Sequence, residues 1–268
     1  MKKIIFIGAG YMAEALIQGW IKKEVLTPQE IYVINRSDKE RLQFLTQTYG
    51  IHSEFDESTY QQADIIILAM KPKDAVEAMQ ALQPKLAAHT TILSVLAGTS
   101  IETITHYLGD RPVARVMPNT SATIGMSASG IAFNEQISAT QRTQFLQLLA
   151  AIGEVIEVEE DQLHAVTALS GSGPAYIYYL MEAFERVGTQ VGLSKDTVRL
   201  LMTQTLAGTA EMLKQSVEEP TVLRRKVTSP GGTTEAGINA LELHQFQAAI
   251  EACIKEAEAR SRSLAKHS

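Results

Sequence analysis

Two small-residue loops carry most of the chemistry open to this chain. In "IIFIGAGYMAEAL", residues 4–16, an apolar run meets Gly8-x-Gly10-x-x-Ala13 and then an apolar-periodic stretch. Gly8 suits a tight turn, Gly10 admits a pyrophosphate close to the backbone, and Ala13 leaves room for a helix to pack on a strand. The N–H groups at the start of that helix then face the phosphates. A glycine pattern alone is weak, but a strand before it and a helix after it supply the context a dinucleotide site needs. The alternative is a plain tight turn between strand and helix. Gly8, Ala9, Gly10, Tyr11 and Met12 are the expected cofactor contacts.

The end of the second apolar run bears on which dinucleotide. It reads "INRS", with Asn35, Arg36 and Ser37 where an NAD site usually has an acid for the ribose hydroxyl. Amide, guanidinium and hydroxyl groups suit a 2′-phosphate, which a carboxylate repels. Asp38 follows and is expected to cap the next helix. NADP(H) is the predicted cofactor, with NAD(H) as the alternative. Two further loops are expected beside it: "AMKPKDA", through Ala69, Met70, Lys71 and Pro72, and "SVLAGTS", through Ala97. For Lys71-Pro72 a simple strand stop with a solvated lysine is the competing reading.

The second loop lies in "KVTSPGGTTEAGINALE", residues 226–242. Ser229 and Pro230 end one segment, Gly231 and Gly232 turn the chain, and Thr233-Thr234-Glu235 open a helical pattern. Either threonine can cap that helix. Capping explains one hydroxyl, whereas a small anionic substrate explains the hydroxyls and the Gly-Gly turn together. Backbone N–H groups take a carboxylate and a threonine hydroxyl meets the reacting atom. "ALSGSGPAYIYYLMEAF" has similar logic, since Gly171 to Pro174 predict a helix, a break with free N–H groups, and a second helix. The alternative there is a close helix crossing through glycine. No His, Cys or Lys clearly belongs to either loop, which suits hydride transfer guided by hydrogen bonds.

The elements that position these loops fall into two sets. Residues 1–158 alternate apolar runs (3–8, 31–36, 64–70, 91–97, 113–117, 130–134, 154–158, and a weaker one at 51–55) with amphipathic stretches at 11–23, 38–48, 73–87 and 138–151. That alternation predicts a doubly wound α/β domain with a parallel sheet covered on both faces. Residues 159–268 read as helices over 160–169, 174–191, 195–215 and 234–262. Their apolar faces exceed what a small helical core can bury, so a homodimer through this half is expected. At 268 residues the chain is comfortable for two such domains.

Composition excludes other classes. A net charge of −6 and no basic cluster beyond "RRK" at 224–226 speak against nucleic acid as a partner. The longest apolar run, "IIILAM" at 65–70, is far short of a membrane span, and "MKKIIFIGAG" is too short in apolar residues for a secretory signal. The one cysteine, Cys253, leaves no intramolecular disulfide. The six histidines lack metal-ligand spacing, so no metal is expected. The predicted location is the cytoplasm.

Along nearly its whole length the chain resembles the pyrroline-5-carboxylate reductase family. The resemblance runs through "IGAGYMAEAL", "NRS", "LAMKP", "MPNT", "EVEEDQLHAVTALSGSGPAYIY" and "VTSPGGTTEAGI", in order. It implies a Rossmann domain followed by an all-α dimerisation domain. It implies NAD(P)H-dependent reduction of 1-pyrroline-5-carboxylate to L-proline, and dimers that often assemble into decamers. On this resemblance Ser229, Gly231, Gly232 and Thr233 hold the substrate carboxylate and Thr234 is the catalytic hydroxyl beside the ring nitrogen. Tyr11, Asp56 and Ser121 depart from the family's usual residues and put individual cofactor contacts in question. A related reductase using a helical-domain lysine is disfavoured because neither small-residue loop contains one. A non-catalytic NADP sensor would not need the second loop.

Overall fold

The computed structural model describes residues 3–265. Seven strands form one sheet in the order β2-β1-β3-β4-β5-β6-β7. They are β1 (Ile4–Ile7), β2 (Ile31–Ile34), β3 (Ile65–Leu68), β4 (Thr91–Ser94), β5 (Val113–Met117), β6 (Ser127–Phe133) and β7 (Gly153–Glu157). Between them run α1 (Tyr11–Lys22), α2 (Lys39–Tyr49), α3 (Ser58–Gln61), α4 (Ala75–Leu82), α5 (Ile101–Leu108) and α6 (Ala139–Ala150). The first five strands are parallel. β6 runs antiparallel to β5, and β7 runs parallel to β6. The weak apolar run at 51–55 forms no strand and is reduced to one bridge between Tyr32 and His52.

The near-continuous isoleucine runs have a direct cause in this layering. Ile4 and Phe6 of β1 enter one core with Leu16, Trp20 and Phe145, while Ile5 and Ile7 enter another with Ile66 and Met79. Alternate side chains of a strand point to opposite faces, so a sheet covered twice needs apolar residues at every position. Trp20 is fully buried and its indole N–H donates to the Leu148 carbonyl at 2.8 Å, joining α1 to α6 on one face.

Strands cease after β7, and helices follow: α7 (Leu163–Val166), α8 (Gly173–Gln190), α9 (Lys195–Gln215), α10 (Pro220–Lys226), α11 (Thr233–Leu243) and α12 (Phe246–Ala265). The expected single helix over 234–262 is two, because the chain turns at Gln245, whose φ is +54°. α10 was not expected at all. A π-helical turn over Thr167–Gly171 joins α7 to α8 where a break with free N–H groups is predicted. By contact density the chain forms two compact units, Met1–Pro174 with Glu256–Ser268, and Ala175–Lys255. α7 belongs with the sheet because it packs tightly on β6; a Cβ at Gly130 would lie 2.8 Å from Val166. No described helix is long and apolar enough to cross a membrane.

The end of α12 lies in the first unit. His164 Nδ1 meets Ser261 Oγ at 2.9 Å, and Arg262 pairs with Asp161 and Glu258. Burial, then the Arg262 and Arg115 charges, push the His164 imidazole below the ordinary histidine value, against the pull of Asp161 and Glu258. The unfolded chain therefore binds this proton more readily than the folded one. The contribution to stability is fully present above about pH 6.5 and is lost as pH falls through the lower native value. Melting curves from pH 7.5 to 5 should fall more steeply for the parent protein than for His164→Asn; parallel slopes would show that His164 is not the group responsible.

Candidate active site

The C-terminal ends of β1, β2 and β3 open into a cleft of about 1130 Å³. Chain order reverses there, since β2 and β3 lie on opposite sides of β1, and such a switch point is where open α/β sheets bind ligands. Of the residues expected at the cofactor, Gly8, Ala9, Gly10, Tyr11, Met12, Asn35, Arg36, Ser37, Ala69, Met70 and Lys71 all line this cleft. Pro72 and Ala97 are not part of its wall. Pro72 opens a single 3₁₀ turn after β3, and Ala97 lies in the turn after β4.

Gly8 has φ +110°, and a Cβ there would sit 2.6 Å from the Ala69 carbonyl and the Met70 nitrogen. A side chain is excluded on both counts. Its N–H donates to the Ile34 carbonyl at 2.9 Å, so the turn is fixed to β2 as well. Gly10 is the N-cap of α1 and brings no capping side chain. The first-turn N–H groups of α1 thus face the cleft without an intrahelical partner. These features fit a dinucleotide pyrophosphate.

At the β2 end, the Asn35 side chain accepts from the Arg36 N–H at 3.0 Å. Asp38 accepts from the Arg41 N–H at 2.8 Å and caps α2, as expected of it. Arg36 reaches Glu77 on α4 at 2.7 Å, with both side chains 70% exposed. Arg41 escaped the sequence reading. Its Nε donates to the Ala9 carbonyl at 2.9 Å, it pairs with Glu14, and its guanidinium lies 5.8 Å from the Tyr11 ring and 5.3 Å from Phe44. Tyr49 also donates to Glu14, and burial followed by that carboxylate pushes its phenol up to about 12. The available signal for Arg41 was its place three residues after the capping Asp38, in the first turn of the helix that follows β2. Lys73, Asp74, Glu77 and Lys85 also line the cleft; they follow β3 on a surface whose facing wall no local pattern specifies.

In the second unit, Gly232 is the N-cap of α11, and no side chain caps it. Neither Thr233 nor Thr234 therefore serves as the cap that the alternative reading required. Gly231, at φ +71°, donates its N–H to Glu235 at 2.8 Å, and the Gly232 N–H goes to the Ser229 carbonyl at 3.0 Å. The loop's own acceptors thus occupy both glycine donors. The first-turn N–H groups of Thr233 and Thr234 have no carbonyl one turn back, and both threonines are exposed.

"MPNT" and "SGSGP" are wired together. In an α-helical ladder the Ser170 carbonyl would accept from residue 174, which is proline and has no N–H. The ladder shifts instead: Ser172 N–H bonds the Thr167 carbonyl at 2.8 Å. Asn119, which is buried, donates from Nδ2 to the Ser170 carbonyl at 3.0 Å, while its Oδ1 accepts from the Ser121 N–H at 3.1 Å. Gly171 then lies against Met117, with room of only 3.1 Å for a Cβ. Asn119→Asp keeps the acceptor for Ser121 and removes the donor for Ser170. It should lower stability by about 1–3 kcal/mol, read by urea denaturation at fixed protein concentration; a loss under about 0.5 kcal/mol would mean that the carbonyl has another partner.

Comparison with known proteins follows the same two sets of elements. A family model described as pyrroline-5-carboxylate reductase dimerisation matches residues 160–264, and one described as NADP oxidoreductase, coenzyme F420-dependent, matches residues 3–98. Pyrroline-5-carboxylate reductase 2 of Bacillus subtilis is 47% identical, over 98% of this chain and 95% of that protein. The structure of a pyrroline-5-carboxylate reductase from Coxiella burnetii is 35% identical, with TM-score 0.90 and 98% of each chain covered. The Plasmodium falciparum pyrroline carboxylate reductase, solved with NADP bound, is 26% identical with TM-score 0.89 over 98% of each chain. The chain belongs to the pyrroline-5-carboxylate reductase family.

Proposed function

We propose that this protein reduces the C=N bond of 1-pyrroline-5-carboxylate to give L-proline, with NADPH as the preferred reductant and NADH as the alternative. The observation that carries the reading is the full-length likeness to reductases of this name combined with a switch-point cleft closed at its base by Gly8. Gly8 to Met12 hold the pyrophosphate, Asn35, Arg36 and Ser37 the 2′-phosphate end, and Ala69 to Pro72 with Ala97 the remainder. NADPH, when bound, supplies the hydride that the imine carbon accepts; a proton completes the ring nitrogen.

The chain's own task is orientation and hydrogen bonding. We assign the substrate carboxylate to Ser229, Gly231, Gly232 and Thr233. The two glycine donors are bonded within the loop, so the first-turn N–H groups and the Ser229 hydroxyl are the ones immediately open. Thr234 is assigned to the ring nitrogen, an assignment supported by its freedom from capping. Residues 1–158 serve as the NADP-binding part and 159–268 as the dimerisation and substrate part. The protein acts in the cytoplasm.

Association is built into this scheme. Between Ala175 and Lys255 the only buried hydrophobic side chain is Val198, while Tyr179, Val191, Leu200 and Leu243 are each more than 70% exposed. Such a unit lacks the core an independent domain needs. A homodimer through these helices supplies it, and assembly of dimers into a decamer is the larger state we propose. Leu201 is 53% exposed on α9; Leu201→Glu should yield monomers or aggregates by light scattering, and soluble dimers of unchanged affinity would misplace the interface.

The reaction itself is tested by following NADPH oxidation when the cyclic imine is added. Thr234→Ala should lower turnover about ten- to a hundredfold, the loss of roughly 1.4–2.7 kcal/mol of transition-state stabilisation. Thr234→Ser should keep much of the activity, and neither variant should shift the melting temperature. A fully active Thr234→Ala enzyme would remove this hydroxyl from the mechanism.

A further inference from the structure

The Arg36–Glu77 pair joins the two walls of the cofactor cleft. Arg36 leaves the end of β2, and Glu77 lies on α4, beyond β3 on the other side of β1. Both residues line the cleft, their contact is 2.7 Å, and both side chains are 70% exposed. An exposed ion pair of this kind is weakly held. A phosphate monoester carries nearly two negative charges and three strong acceptor oxygens, so it can displace a carboxylate from the same guanidinium. Arg41, the neighbouring arginine, already has Nε on the Ala9 carbonyl and another nitrogen on Glu14. Arg36 is therefore the guanidinium at this end whose partner a ligand can replace without dismantling the glycine loop.

We propose that Glu77 is a specificity-determining residue that works against the 2′-phosphate. Its carboxylate occupies the guanidinium that NADPH requires and NADH does not, and after displacement it remains beside the phosphate as a like charge. Both effects penalise NADPH alone, so Glu77 narrows the preference that Arg36 creates. This inference rests on the assignment of Arg36 to the 2′-phosphate. Lys71, Lys73 and Lys85 stand on the same side of the cleft as Glu77 and are further cations a phosphate can meet, which is why Arg36 must be varied together with Glu77.

Glu77 is exposed on a helix in which glutamine and alanine are well tolerated, so Glu77→Gln and Glu77→Ala should fold. Dissociation constants for NADPH and NADH are measured at low ionic strength, where exposed charges act most strongly. Both substitutions are made with and without Arg36→Ala. In the Arg36 background each should tighten NADPH about three- to tenfold and leave NADH within about twofold. In the Arg36→Ala background the gain should shrink to the smaller part that like-charge repulsion alone supplies; a gain of the same size in both backgrounds would show that Glu77 does not act through Arg36. Unchanged or weakened NADPH binding, or equal tightening of both cofactors, overturns the role of Glu77. A separate failure is distinguishable: if Arg36→Ala alone leaves the ratio of NADPH to NADH affinity unchanged, the 2′-phosphate assignment falls and this inference with it.

Discussion

At Gly8 the backbone turns through φ +110° and comes so close to the Ala69–Met70 peptide that a methyl group would lie 2.6 Å from it. That approach is possible because Gly8 has no side chain, and it is held by the Gly8 N–H on the Ile34 carbonyl and the Ala69 N–H on the Ile7 carbonyl, both at 2.9 Å. Three strand ends are thereby tied at one point, and α1 must start over the place where chain order reverses. The consequence spreads outward. The Ala9 carbonyl, carried away from the sheet by the turn, is taken by Arg41. Arg41 brings Glu14, and Glu14 brings Tyr49 from the far end of α2. A chain of hydrogen bonds thus leads from the cleft wall at Ala9 and Arg41 through Glu14 to Tyr49.

A common feature links the two loops that the sequence singles out. In each, one of the protein's own carboxylates sits on a donor suited to a ligand anion: Glu77 on Arg36, and Glu235 on the Gly231 N–H. The physical reason is shared. Donors gathered for an anion create a positive potential, and nearby flexible acids answer it when no ligand does. Each such pair is exposed and individually weak. In the binding scheme proposed above, a ligand outcompetes an internal acid as well as water, and the acids around each loop then contribute to selectivity along with its cations.

The strands were legible because the sheet is covered on both faces. Runs such as "KIIFIG" and "DIIILAM" suit strands buried on both faces, and each apolar run except 51–55 became a strand. The glycine loop was legible for a different reason, since a backbone at φ +110° with no room for a Cβ calls for glycine itself, whatever distant residues close around it. What escaped depends on distant partners or on conformations with no residue signature. The break between α11 and α12 falls on Gln245 at φ +54°, a residue type that does not announce a left-handed turn. The π-helical turn answers Pro174, but its stabilising donor is Asn119, 51 positions from Ser170. Glu77 joined the cleft through tertiary placement alone. The extent of the first unit was likewise hidden, because the tail from Glu256 returns to it through His164 and Asp161.

The helical unit completes the physical picture by what it lacks. Gly188 lets α8 approach Val198 of α9, with a Cβ position only 2.4 Å from a valine methyl, and this crossing contains the unit's single buried hydrophobic residue. One buried valine cannot offset the conformational entropy of ordering Ala175–Lys255. The loop over 227–232 lies within that unit, between α10 and α11, and Thr233 opens α11. Its backbone N–H groups stay in position only if both helices do, and in the proposed homodimer the apolar surface holding them comes from a second copy of the chain. In the proposed scheme substrate recognition and self-association therefore draw on the same interactions, and occupancy of the folded loop follows protein concentration by mass action.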